Sequence, residues 1–289
     1  MQSFQFYSPN YLEDALKYIA DRKQTCRTLA GGTDLIPMLK KEEIRPDYLL
    51  NINEVGELKG VEDLDNQVRI GATTTFTEMI ESETLNRFFP LLVNAAASVG
   101  GPQIRNRGTI GGNVITNGPC ADVLPGIVAL DGQLELQSKQ DGRRLVSVAD
   151  VLVTAYETSI RSDELLTGIL IQKPVQGTKS GFEKLGRRNA MAKARLNLSI
   201  ALRQDPNGTI SAVSIVPGAV MPVAVRMNDV ESMLLGRKPT PVLIQAAADK
   251  LVEVVVNTAG IRWSSEYKVP VLKNIFKRVM WRVLAEDPQ

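Results

Sequence analysis

Along the first fifty residues, short apolar runs alternate with stretches of helical period. Residues 4–7, 27–30 and 48–52 read as strands, with apolar side chains crowded into four or five positions. Between the first two, Leu12, Ala15, Leu16 and Ile19 recur at i, i+3, i+4 and i+7, one face of a helix introduced by Ser8-Pro9. Leu35, Ile36, Met38 and Leu39 predict a second helix, with Thr33 or Asp34 placed to cap it. This β-α-β-α-β order is the pattern of a parallel sheet.

From residue 58 the pattern changes. Short strands are predicted at 58–61 and 67–70, then helices over 76–80 and 87–97, the second with Leu91, Leu92, Ala95 and Ala96 on its apolar side. Residues 121–130 are apolar enough for a buried helix. Residues 134–137 and 145–148 form a hairpin pattern across Gln140-Asp141-Gly142, and 165–171 a further strand ended by Lys173-Pro174. A polar connector at 175–180 suggests a boundary. Beyond it, strands at 198–202 and 210–215 flank the turn Asp205-Pro206-Asn207-Gly208, and 241–256 is a clear helix. The final segment places Val271, Leu272, Ile275, Phe276, Val279, Met280, Val283 and Leu284 opposite Lys273, Lys277, Arg278 and Arg282, the pattern of a terminal helix docked on its own sheet.

One stretch resists this reading. Residues 99–118, VGGPQIRNRGTIGGNVITNG, hold six of the chain's 22 glycines, and Asn106, Asn113 and Asn117 add residues tolerant of left-handed backbone, so an irregular, tightly turned segment is expected. It contains a Gly-Gly doublet, Gly111-Gly112, that answers an earlier one, Gly31-Gly32. A chain turning at Gly-Gly into a helix leaves main-chain N–H groups unsatisfied and pointing one way, a cradle for an anion such as phosphate. Two such doublets from different segments suggest a diphosphate held in a cleft between two subdomains.

Composition narrows the chemistry. There are 34 basic and 32 acidic residues among 289, a net charge of +2, so no global field recruits nucleic acid or an anionic membrane. The chain has no histidine, which excludes Ser-His-Asp and Cys-His mechanisms, histidine metal sites and histidyl-linked cofactors within it. Two cysteines, Cys26 and Cys120, cannot ligate an iron–sulfur cluster. No two glycines are separated by one residue and no Gly-Lys pair occurs, so both GxGxxG and the Walker A loop are absent. No leader pattern or membrane span is recognised, and a soluble cytoplasmic protein is expected.

Taken together, AGGTDLIP at 30–37, IGATTTFTEM at 70–79, GPQIRNRGTIGGN at 101–113, CADVLP at 120–125 and EKLGRRNAM at 183–191 resemble the FAD-binding subunit of the molybdenum hydroxylase family, which includes xanthine, carbon monoxide and nicotinate dehydrogenases. The resemblance runs nearly end to end. It implies an α+β chain: a two-subdomain FAD-binding fold of the vanillyl-alcohol-oxidase (PCMH) type over 1–55 and 56–176, then a C-terminal α/β domain over 177–289. Ala30, Gly31, Gly32, Thr33, Asp34 and Leu35 would wrap the FAD diphosphate, approached from the other side by Thr109, Ile110, Gly111, Gly112 and Asn113. Asp122 would bind a ribose hydroxyl of the AMP half, although an N-cap role fits it equally on sequence. Leu166 and Lys184 would line the flavin, the lysine stabilising the reduced ring. Val99 stands where some relatives carry an aromatic residue against the cofactor. No side chain is expected to act as acid or base, and no metal site is expected. The implied partners are a molybdopterin-containing large subunit and a 2Fe-2S small subunit, with NAD or another species as acceptor. The alternatives are a free-standing FAD-dependent oxidoreductase of the same superfamily and a nucleotide-binding module with no catalytic role.

Overall fold

The computed structural model describes residues 3–188, 191–261 and 264–285. Two positions of the 183–191 motif, 189 and 190, therefore lie outside the described residues.

The first sheet is parallel. Its strands β1 (Gln5–Tyr7), β2 (Cys26–Leu29) and β3 (Tyr48–Asn51) run in the order β1-β3-β2, connected by helices α1 (Leu12–Arg22) and α2 (Leu35–Lys40). Ala15 and Ile19 of α1 are buried against Cys26 and Leu50, each large aliphatic side chain contributing about 2 kcal/mol by leaving water. Helix α1 begins three residues after Pro9 with no side-chain cap. Asp34 precedes α2 without capping it.

The second sheet is antiparallel and larger. After a 3-10 turn at Gly56–Leu58 come β4 (Val61–Asp63), which starts where the strand expected over 58–61 ends, and β5 (Gln67–Gly71). Helix α3 (Phe76–Glu81) opens with a full capping box: the Glu78 N–H donates to Thr75 Oγ1 and the Thr75 N–H donates to the Glu78 carboxylate. The helix expected over 87–97 is two, α4 (Glu83–Phe88) and α5 (Pro90–Ala97), because Pro90 lacks an N–H to continue one helix and suits the first turn of the next. The glycine-rich stretch contains two short helices, α6 (Pro102–Arg105) and α7 (Ile110–Thr116), and Asn117 ends α7 with φ 43°. Helix α8 (Leu124–Ala129) is buried throughout. Then follow the hairpin β6 (Gln133–Ser138) and β7 (Gly142–Ser147), a turn of helix α9 (Val148–Val151), the small pair β8 (Leu152–Thr154) and β9 (Glu157–Thr158), and β10 (Glu164–Gln172). The sheet order is β4-β5-β10-β6-β7, so β10 is central, and eight of its nine residues are buried.

The third sheet is an antiparallel meander of β11 (Thr178–Leu185), β12 (Leu196–Gln204) and β13 (Ile210–Gly218). Sequence periodicity shows neither β11 nor the short helix α10 (Asn228–Leu234), because β11 is rich in Gly, Ser and Lys and half-buried. Helices α11 (Pro241–Ala259) and α12 (Ser265–Ala285) complete the chain. The Thr240 hydroxyl caps α11 by accepting the Leu243 N–H, with Pro241 in the first turn. Period two divides the faces of β12: Leu196, Leu198, Ile200 and Leu202 pack with α10, α11 and α12, whereas Asn197, Ser199 and Ala201 lie on the other face. On that face Phe182 and Val216, register partners of Ser199, join the core of the second sheet. The meander is thus sandwiched between its own helices and the second subdomain. Among the described residues no helix is long and apolar enough to cross a membrane.

Two buried carboxylates bind the second sheet to its arginines. Arg69 Nε donates to Glu135 at 2.8 Å, and Arg144 donates to both oxygens of Glu164 at 2.6 and 2.9 Å. Burial pushes both carboxyls up, but the arginine hydrogen bonds outweigh it and hold them below the ordinary value of 4.5. A depressed folded-state pKa contributes stability that is present above the unfolded value and lost as pH falls through the folded one. The midpoint of urea unfolding is therefore expected to drop as pH falls from about 5 towards 3, with a shallower drop in Glu164→Gln. An equal acid slope in the two proteins would refute this role.

Candidate functional site

The first wall of the site is the loop from Ala30 to Leu35. Gly32 has φ +73°, which only glycine adopts without strain, and it turns the chain out of β2. Among the described residues the N–H groups of Gly31, Gly32, Thr33, Asp34 and Leu35 have no acceptor, whereas the Ile36 N–H already bonds to the Gly32 carbonyl. Five consecutive amides without a protein acceptor form an anion cradle. The helix that follows has six residues, so the individual amides rather than a long helix dipole supply the field. Asn53 Nδ2 donates to the Ala30 carbonyl at 2.9 Å and fixes the start of the loop.

The second wall is Thr109 to Asn113, and it differs from the sequence expectation. Four of its five amides, Ile110 to Asn113, are spent within the chain. Ile110 and Gly111 donate to the carbonyls of Thr74 and Ala72, both at 2.9 Å, Gly112 to Thr109 Oγ1 at 3.1 Å and Asn113 to the Thr109 carbonyl at 3.0 Å. The threonine-rich motif at 70–79 is thus the brace of this wall, and a Cβ on Gly111 would lie 2.5 Å from the Ala72 carbonyl oxygen. Among the described residues the Thr109 N–H has no acceptor and the buried Asn113 Oδ1 has no hydrogen-bond partner, and Gly112 has only Thr109 Oγ1 near the position of a Cβ.

The two walls touch. A Cβ on Gly31 would lie 1.9 Å from the Arg107 carbonyl oxygen, so the bare Cα of Gly31 lets the loop of the parallel sheet lie directly on the glycine-rich segment. Nearby, Thr116 Oγ1 reaches Asp34 Oδ2 at 3.5 Å.

The third component comes from the C-terminal sheet. Lys184 Nζ donates to Asp122 Oδ2 at 2.5 Å and to the Ser98 carbonyl at 2.8 Å, and Asn197 Nδ2 donates to Asp122 Oδ1 at 3.1 Å. Asp122 is 6% exposed and does not cap α8. Burial raises its carboxyl above the ordinary range, an effect that Lys184 and Asn197 oppose.

Comparison with known proteins identifies the family and its cofactor. Residues 2–174 match the family described as the FAD binding domain in molybdopterin dehydrogenase, and residues 180–283 match the CO dehydrogenase flavoprotein C-terminal domain. The chain belongs to the FAD-binding family of the molybdopterin dehydrogenases. It is 30% identical over 277 residues to the carbon monoxide dehydrogenase medium chain of Hydrogenophaga pseudoflava, covering 96% of each. It is 29% identical over 287 residues to the nicotinate dehydrogenase FAD-subunit of Eubacterium barkeri, covering 98% of this chain and 97% of the relative. The fold superposes on a solved structure of the H. pseudoflava carbon monoxide dehydrogenase with a TM-score of 0.92 at 28% identity, over 98% of both chains. This is a medium, FAD-binding subunit of a molybdenum hydroxylase, a flavin-dependent oxidoreductase subunit.

Within this FAD subunit the remaining candidates fall as follows. Leu166 is 5% exposed on β10, beside the irregularity at Thr167, and packs into the core of the second sheet. Val99 is half-buried against the same core, and Arg105 braces its loop by donating to the carbonyls of Val99 and Gly100. Asp122 and Lys184, which the resemblance assigns to opposite ends of FAD, form one ion pair. Asn53, Thr116 and Asn197 escape sequence reading, since each makes its contact with a partner that only folding brings close.

Proposed function

We propose that this FAD subunit is the electron-transfer component of a complex in which a separate molybdopterin-containing large subunit hydroxylates the substrate. Electrons reach this chain through a 2Fe-2S small subunit and leave it for NAD or another acceptor. When bound, FAD supplies the redox chemistry, taking up and releasing electrons one or two at a time. The observation that carries the reading is the run of five main-chain amides without a protein acceptor, Gly31 to Leu35, at the junction of two subdomains. In its support, the match to medium chains covers nearly the whole length of both proteins.

In this reading Ala30, Gly31, Gly32, Thr33, Asp34 and Leu35 hold the diphosphate. Thr109, Ile110, Gly111 and Gly112 present a flat backbone surface to it, and Asn113 Oδ1 accepts from a hydroxyl or amino group of the cofactor. Leu166 and Lys184 flank the flavin with Asp122 as the counter-charge of Lys184, a closer fit to the ion pair than ribose binding. Lys184 excludes no proton chemistry and performs none; it places a cation beside the ring. We assign the divisions 1–55, 56–176 and 177–289, and place the complex in the cytoplasm, in keeping with two free thiols.

The test is purification with the neighbouring gene products. A yellow protein with the two visible flavin bands, accompanied by one molybdenum subunit and one 2Fe-2S subunit and reducing NAD, supports every part; a colourless chain that FAD cannot reconstitute refutes the reading. Gly112→Val is the sharper probe, because its Cβ meets only Thr109 Oγ1, at 2.9 Å. It is expected to leave the fold intact by circular dichroism and to weaken FAD binding by about tenfold or more, about 1.4 kcal/mol. Unchanged flavin content would remove Gly112 from the site.

A further inference from the structure

The C-terminal sheet contributes more than a lysine to this site. Lys184 on β11, Asn197 on β12 and Gly218 on β13 are register partners, one row across three strands. Residues directly opposite in adjacent antiparallel strands share a face, so the row presents an ammonium, an amide and a bare Cα towards Asp122. Asn197 is fully buried, and its Nδ2 donates both to the Ala121 carbonyl, at 2.9 Å, and to Asp122 Oδ1. Gly218 makes this possible: a Cβ there would lie 2.0 Å from Asn197 Oδ1. Among the described residues that oxygen has no hydrogen-bond partner. A fully buried amide with one unsatisfied end is a costly choice for a residue that only fills space, since an apolar isostere would avoid the desolvation. Its donor end is spent wholly on Asp122 and the residue before it.

We propose that Asn197 is a positioning residue that fixes the Asp122 carboxylate on the Lys184 ammonium and thereby sets the net charge the C-terminal sheet presents to the flavin. This rests on the reading that Lys184 lies beside the flavin. Among the described residues Lys184 is the charged group that faces Asp122, and Asn197 and the Ala121 main chain complete its surroundings. With the carboxylate ionised, the ammonium is largely compensated. With it protonated, a full positive charge stands in the site and favours the electron-rich, reduced cofactor. Loss of the Asn197 hydrogen bond favours the protonated form, because it removes a group that stabilises the ionised one.

The experiment is a spectroelectrochemical titration of the FAD-loaded protein over a range of pH, with FAD dissociation measured in parallel by flavin fluorescence. In the native protein the midpoint potential is expected to step downwards as pH rises through the Asp122 transition. In Asn197→Leu the step moves to higher pH. At a pH between the two steps the ratio of reduced to oxidised flavin rises by up to about tenfold at fixed ambient potential, which for two electrons is about 30 mV. Asn197→Ser, which shortens the donor without adding bulk, is carried through the same titration in case the leucine variant does not fold, and the same displacement is expected. Lys184→Met separates the proposal from its premise. If Lys184→Met shifts the potential while both Asn197 variants track the native curve, Asn197 is a packing residue and the proposal fails. If Lys184→Met leaves the potential unchanged while FAD still binds, Lys184 is not beside the flavin, and the proposal falls with that reading while the FAD site itself stands.

Discussion

Gly31→Ala is expected to emerge from purification without flavin and with the parallel sheet loosened from the rest of the chain. The added methyl carbon would lie 1.9 Å from the Arg107 carbonyl oxygen, 2.7 Å from its carbon and 3.0 Å from the Gly108 Cα, and all three atoms are backbone. No rotamer change relieves such a clash; one loop must move. The Gly108 segment is held in place on its own side, since its carbonyl accepts the Phe76 N–H and its Cα packs where a Cβ would meet the Phe76 ring at 2.9 Å. The strain therefore falls on the Gly31 loop. Overpacking of this kind costs about 3 kcal/mol, the upper end of the usual range, because the obstacle is main chain. Displacing the loop also scatters the five amides proposed to converge on the diphosphate, so FAD affinity is expected to fall at least about a hundredfold, about 2.7 kcal/mol. Flavin content at purification and titration of the apoprotein with FAD measure it. A variant that retains stoichiometric flavin would show that the two walls do not meet at the diphosphate.

Asp122→Ala is the second large effect, and it is expected without any cofactor present. The substitution leaves the Lys184 ammonium, 11% exposed at its side chain, with only the Ser98 carbonyl as partner, and strands one bond of Asn197. Removing one member of a buried ion pair costs about 3–5 kcal/mol, most of it the uncompensated charge. Lys184→Met is expected to be milder, because the carboxyl left behind is already raised by burial and can take up a proton. The double variant Asp122→Ala with Lys184→Met is expected to regain most of the loss, since no buried charge is left unpaired. Urea unfolding of the apoproteins tests the cycle, and losses that simply add would show that the two side chains act independently. The pH sign is opposite to that of Glu135 and Glu164. A carboxyl raised in the folded state contributes stability that is full below the ordinary value of 3.8 and declines as pH rises through the folded value.

Some of this was legible in the residues. Helix α11 was plain because its apolar period, Thr240 cap and Pro241 are all local. The parallel first sheet followed from alternation alone, and the docked terminal helix from its stripe, whose Val279 and Val283 lie near the absent Cβ of Gly181. The glycine doublets announced close backbone approach. Their sequence did not reveal that the two act differently. Gly31 to Leu35 keeps its amides free, whereas Ile110 to Asn113 spends its own on Thr74, Ala72 and Thr109, and that distinction depends on which strand lies beside the loop.

By itself, then, the sequence determined which chemistry was open to this chain: no histidine or cluster cysteines, no dinucleotide fingerprint of the GxGxxG kind, and five ordered motifs that point to FAD. Turns, caps and periodicity are short-range properties, and they are written in neighbouring residues. Only the tertiary structure decided that Gly31 meets Arg107, that Asp122 and Lys184, 62 positions apart, form one ion pair, and that Asn197 holds the other oxygen of that carboxylate from a sheet sequence periodicity only half revealed. The charge of a buried group depends on its partners and on how far water is excluded, and both are set by long-range packing rather than by the residues beside it.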